Sequence, residues 1–183
     1  MLVVDEPESL PVREARDGQP GAWDILFRRF QLPLYAYVHE LVRDEQTSLD
    51  VVQETFINAA RHLAGLREDA RFGSWLFGIA HQKIVQHWRK RRLETVSLDE
   101  VNSDDLPDEG RPDHWLIRRE QEEAFMRLVA MLPELQRAVL LLHFIEDFSL
   151  DEISVITGAP LGTVKSRLHY AKKTLRQQLE APK

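Results

Sequence analysis

The sequence predicts an all-α protein: two small helical domains joined by a flexible acidic linker, the second containing a helix-turn-helix. Three observations lead to this expectation. Apolar residues recur mostly at spacings of three and four, and strict alternation is rare. Residues 93–112 are acidic, carry Pro107 and Gly110, and show no helical periodicity, so they divide the chain into modules of residues 8–92 and 113–180. Near the C-terminal end, a helix-start signature and a stop glycine set two short helices in tandem.

The first module opens with "AWDILFRRFQLPLYAYVHELV". Ala22, Ile25, Leu26 and Phe30 share a face, as do Leu34, Tyr37, Val38 and Leu41, so a long helix kinked or restarted near Pro33 is expected. "TSLDVVQETFINAARHL" places Leu49, Val52, Phe56, Ala59 and Leu63 on one stripe, with Thr47 as N-cap and Gly65 as stop. "RFGSWLFGIAHQKIVQHWRKRR" puts Phe72, Trp75, Leu76 and Ile79 on a core face and ends in a basic turn, which suits a helix C-terminus. Trp88 fits either a buried position or a stacking surface.

In the second module, Leu116, Ala124, Leu128 and Met131 are expected to face a core, and Pro133 to start the next helix. Ser149 and Glu152 form the S-x-x-E capping box, Gly158 ends that helix, and Pro160 sits where a first turn tolerates it. At 100° per residue, Val164, Leu168, Ala171 and Leu175 fall on one stripe of the last helix. Lys165, His169, Lys172 and Arg176 fall on another, with Ser166 and Lys173 beside them. One face buries and the other is cationic, as a helix lying in a DNA groove requires. A basic outer face alone also suits a plain solvated helix; the capping box, stop glycine and tandem spacing favour the helix-turn-helix. Ser154 and Thr157 stand where such motifs commonly carry alanine and a larger apolar residue.

Charge is segregated although the formal net charge is −6. His81–Arg92 holds Lys83, Arg89, Lys90, Arg91 and Arg92 with no acid, and Leu161–Lys183 holds Lys165, Arg167, Lys172, Lys173, Arg176 and Lys183 against Glu180 alone. Between them Glu94, Asp99, Glu100, Asp104, Asp105, Asp108, Glu109 and Asp113 face only Arg111. A polyanion meets the patches rather than the mean. There is no cysteine, which removes disulfides, thiolate zinc sites and thiol nucleophiles and fits a reducing compartment. The first residues lack the basic start and apolar run of a signal peptide, and no apolar stretch is long enough to span a bilayer, so a cytoplasmic protein without membrane insertion is expected. His81 and His87 point to different faces, and no HExxH, phosphate loop or nucleophile elbow is present; no metal, cofactor or catalytic residue is expected.

The second module resembles region 4 of bacterial sigma factors through "LPELQRAVLLLHF", "SLDEI" and "GTVKSRLHYAKKTL". Taken alone it also fits a helix-turn-helix regulator that does not load polymerase. In the first module, "SLDVVQETFINAAR" resembles region 2.2 and "RFGSWLFGIAHQKIVQHWRKRR" resembles regions 2.3 and 2.4. Together they resemble the extracytoplasmic-function group, which keeps only regions 2 and 4 around a linker. The resemblance implies an alternative sigma factor, not an enzyme, with core RNA polymerase and promoter DNA as partners and an anti-sigma factor as the usual regulator. It implies that Asp50, Gln53, Glu54 and Arg61 dock on the clamp helices of the polymerase largest subunit. It assigns −10 DNA to Gly78, Gln82, Lys83, Arg89 and Arg92, with a flipped base received by the preceding loop "LAGLREDARF". Gln82 stands where family members commonly have asparagine, so its amide reaches differently. The −35 element is assigned to Thr163, Lys165, Ser166, Arg167, His169, Tyr170, Lys172 and Lys173, Arg167 and Lys173 as phosphate contacts. The acidic linker is expected to mimic nucleic acid or to screen the basic patches.

Overall fold

The computed structural model describes residues 10–95 and 123–180. Most of the linker, and the expected core position Leu116, lie outside these residues. All regular structure among the described residues is helical: α1 (Val12–Arg16), α2 (Ala22–Val42), α3 (Glu45–His62), α4 (Phe72–Thr95), α5 (123–130), α6 (Glu134–Phe144), α7 (Leu150–Thr157) and α8 (Leu161–Glu180). Helix α4 runs three residues past the expected boundary at 92.

Helix α2 neither restarts nor ends at Pro33 but passes through it as one element. Proline removes one ladder hydrogen bond there. Burial of Leu26 before it and Leu34, Tyr37 and Val38 after it offsets that loss. Helix α3 starts earlier than Thr47: Asp44 is the N-cap, and its Oδ1 accepts the Thr47 N–H at 2.7 Å. A 3₁₀ turn, Leu63–Gly65, follows α3. Leu49, expected in the core stripe, is 47% exposed and Val51 is buried instead, while Val52, Phe56, Ala59 and Leu63 are buried as expected.

Helices α2, α3 and α4 pack on one another around Leu26, Tyr37, Phe56, Phe72, Leu76 and Ile84. Helix α4 is buried on more than one side because α7 also packs against it. Trp88 is a core residue, buried, and its indole N–H donates to the Leu41 carbonyl at 3.3 Å.

The second module centres on α6, α7 and α8. Met131 faces outward at 69% exposure and Ala124 is also exposed, while Val129 and Leu132 are buried; the inward face of α5 is therefore rotated from the expected one. The capping box forms in full, with the Glu152 N–H donating to Ser149 Oγ and the Ser149 N–H donating to the Glu152 carboxylate. Gly158 adopts φ +65°, the left-handed conformation that glycine takes without a Cβ penalty. Ser154 Oγ donates to the Ala159 carbonyl at 2.6 Å, and the Ala159 N–H donates to Thr157 Oγ1 at 3.4 Å. Those two polar residues therefore brace the turn through its backbone.

Candidate nucleic-acid and protein interfaces

Helix α8 separates its faces as the sequence predicts. Val164, Leu168, Ala171 and Leu175 are buried, whereas Lys165, Ser166, His169, Tyr170, Lys172 and Lys173 are exposed. Thr163 is half-buried, and its carbonyl accepts from Ser166 Oγ at 2.9 Å. Tyr170 projects its ring to solvent at 55% exposure, edge-on to His169 at 5.6 Å. Two residues of the set turn elsewhere. The Lys172 ammonium lies 4.9 Å above the Phe144 ring, a cation–π contact. Arg167 is half-buried, and its charge helps hold His81 of the first module neutral.

On α4, Gln82, Arg89 and Arg92 are exposed while Gly78, Lys83 and Val85 are half-buried. Lys83 makes an ion pair with Glu54 of α3 at 2.5 Å, so the two residues assigned to different partners meet at one edge. A Cβ on Gly78 would lie 3.8 Å from Ile156 Cα, which places the α7 backbone directly against this end of the stripe. At the other end, Glu134 of α6 pairs with Arg92 at 2.7 Å and with Arg91 at 3.3 Å. The second module thus covers part of the basic surface of the first.

On α3, Asp50, Gln53, Glu54 and Arg61 are all exposed along the outer face. Beside them runs an open groove between α2 and α3, lined by Phe27, Leu32, Tyr35, Leu49, Phe56 and Ile57. Phe27, Leu32, Leu49 and Ile57 are each more than 40% exposed, an unusual run of apolar side chains for a solvated face. The sequence reading did not include this groove. The available signal was Phe27, Leu32 and Ile57 falling outside the expected core stripes.

The junction between modules contains groups with shifted acidities. Tyr37 Oη and His81 Nδ1 lie 2.8 Å apart, and both residues are buried. Burial, helped by the Arg167 charge, lowers the His81 pKa to about 4. Burial pushes the Tyr37 phenol up, with the charge of Glu146 adding to it. Glu146 is itself raised to about 7 by burial and by neighbouring Asp147. Arg137 donates to the Glu40 carbonyl across the junction at 3.0 Å and to Leu132 O at 3.1 Å. Phe77 and Phe148 meet edge-on at 5.1 Å. Among the described residues, no three His, Asp or Glu side chains gather where they would hold a metal ion.

The family model for Sigma-70 region 2 matches residues 26–94, and that for Sigma-70, region 4 matches residues 122–175. The RNA polymerase sigma-H factor of Pseudomonas aeruginosa is 30% identical, covering 98% of this chain and 97% of that protein. The ECF RNA polymerase sigma factor SigW of Bacillus subtilis is 24% identical over 92% of this chain and 94% of its own. The ECF RNA polymerase sigma-E factor of Escherichia coli K12 is 27% identical over 92% of each chain. Among solved structures, CnrH in complex with the cytosolic domain of CnrY matches with a TM-score of 0.68 at 24% identity, covering 94% of this chain and 96% of that one. RpoE in complex with the anti-sigma factor NepR from Bartonella quintana matches with a TM-score of 0.64 at 23% identity, covering 86% of this chain and 98% of that one.

Proposed function

Because the chain belongs to the sigma-70 family of RNA polymerase sigma factors, in its extracytoplasmic-function group, we propose a division of labour among its exposed surfaces. The chain is an alternative sigma factor: it joins core RNA polymerase and directs promoter-specific transcription initiation. Asp50, Gln53, Glu54 and Arg61 form the polar half of the polymerase contact. The groove of Phe27, Leu32, Leu49 and Ile57 forms its apolar half, since an apolar patch rimmed by polar groups is what a helix of a partner protein covers.

Gly78, Gln82, Lys83, Arg89 and Arg92 track the −10 strand, and the loop between α3 and α4 receives the extruded base. Lys165, Ser166, His169 and Tyr170 read the −35 duplex from the major groove. Arg167 and Lys173 hold phosphates, and Thr163 and Lys172 flank the contact. The observation that carries this reading is the exposure of Lys165, Ser166, His169 and Tyr170 on a helix whose opposite stripe is buried behind a capped helix-turn-helix.

Closure of the second module over Gly78 and Arg92 means that the modules separate before −10 DNA is bound. The chain acts in the cytoplasm, where its template lies, and no helix of the described residues is long and apolar enough to cross a membrane. An anti-sigma factor is its proposed regulator, by analogy with RpoE and NepR. No covalent chemistry is assigned to its own side chains.

Run-off transcription with core polymerase tests the assignment. Lys165→Ala should weaken −35-dependent initiation by about 1–3 kcal/mol while leaving core binding intact. Gln53→Ala with Glu54→Ala should do the reverse and abolish core binding. Promoter-independent DNA binding by the chain alone, with no specific transcript, would identify a simple helix-turn-helix regulator instead.

A further inference from the structure

The loop between α3 and α4 has little backbone support of its own. It consists of two single 3₁₀ turns, Leu63–Gly65 and Asp69–Arg71, with extended backbone at Leu66 and Glu68 between them. Each turn is closed by one backbone hydrogen bond, Leu66 N–H to Leu63 O and Arg71 N–H to Glu68 O. Buried Leu63 and half-buried Leu66 anchor the first half, while Arg67, Glu68, Ala70 and Arg71 are exposed. A loop of this kind fluctuates unless something else ties its backbone.

Arg16, at the end of α1, supplies that tie from about fifty residues upstream. Its Nη2 donates to the Leu66 carbonyl at 2.9 Å and to Asp69 Oδ1 at 2.5 Å, and its Nε donates to the Leu63 carbonyl at 3.5 Å. Val12 and Ala15 are buried and dock α1, so the guanidinium is presented from an anchored helix. A planar fork of donors suits two carbonyls and a carboxylate at once, which a lysine ammonium cannot span in the same way. The contact also neutralises Asp69, a carboxylate that would otherwise repel a passing phosphate backbone.

We infer that Arg16 is a positioning residue for −10 recognition, holding the α3–α4 loop in the shape that receives an unstacked nucleobase of single-stranded DNA. This rests on the proposed role of that loop in reading the −10 element.

The test uses full-length protein in reconstituted holoenzyme. Arg16→Ala, Arg16→Lys and Asp69→Asn are compared with the unaltered chain on promoters carrying each of the four bases at each −10 position. Arg16→Ala should leave core affinity unchanged and lower the ratio of best to worst base at one −10 position by at least about fivefold, the lower end of what one base contact contributes. Arg16→Lys should restore little of it, and Asp69→Asn should shift the ratio in the same direction by less. Equal loss on all four bases, or unchanged ratios, would overturn the inference and leave Arg16 a purely structural contact.

Arg67→Ala with Arg71→Ala separates this failure from that of the underlying assignment. If the loop-tip variant also leaves the −10 preference untouched, the loop is not the reader and both conclusions fall. If it changes the preference while Arg16→Ala does not, only the role of Arg16 falls. If Arg16→Ala does not fold, Asp69→Asn decides by the same ratios.

Discussion

Glu146 and His81 titrate in opposite senses at the junction of the modules. The Glu146 carboxyl is raised from an ordinary 4.5 to about 7, so the stability of its neutral form is fully present below pH 4.5 and is lost as pH rises through 7. His81 is lowered from 6.5 to about 4, so its contribution is present above pH 6.5 and is lost as pH falls through 4. Glu146→Gln keeps the neutral, hydrogen-bonding shape without the charge. It should raise the melting temperature at pH 8 and change it little at pH 5; thermal melts at both values check this, and an equal shift at both would show that desolvation of the carboxylate is not the cause. Neither shift was legible in the sequence. Its spacing from His87 says nothing of what buries His81, and the pairing with Tyr37 spans forty-four residues.

Among the elements, those decided by local chemistry matched expectation most closely. Ser149, Glu152 and Gly158 set the limits of α7 because a cap and a left-handed stop involve groups only a few residues apart. Local rules failed where packing outweighed them. Pro33 did not make α2 restart, and Asp44 caps α3 by accepting the Thr47 N–H, one turn before the start expected at Thr47. Leu49 and Met131 lay on plausible apolar stripes but faced outward, since periodicity identifies a face and not what covers it. Leu49 is thereby left lining the α2–α3 groove proposed as part of the polymerase contact. Ile57→Lys places a charge on a residue that is 42% exposed, so the fold should persist while core-polymerase affinity falls at least about tenfold, a loss within the range of interface hot spots. Unchanged core binding in a pull-down, with normal helicity by circular dichroism, would remove the groove from the polymerase contact.

For the whole molecule, Glu134 links the modules by accepting from Arg91 and Arg92, and Arg137 adds a hydrogen bond to the Glu40 carbonyl. Exposed ion pairs contribute about 0–1 kcal/mol each, so the Glu134 pairs are a small part of a closure that also packs α7 on α4 and Phe77 against Phe148. Glu134→Lys replaces attraction by repulsion and should raise core-free binding of single-stranded DNA several-fold, on the order of fivefold per kcal/mol, with the gain shrinking at high salt. Fluorescence anisotropy at two salt concentrations measures it; equal affinities for both proteins would mean that Glu134 does not restrain the modules. The helical class, the two-module division, the capped helix-turn-helix and the outward basic stripe of α8 are all legible in the residues alone, because each depends on positions close together along the chain. That Arg16 ties the α3–α4 loop, that Lys83 pairs with Glu54 and that α7 lies over Gly78 emerged from the packing of the helices. Those contacts join residues 29 to about 80 positions apart, and their geometry follows from how packed helices cross rather than from any local pattern.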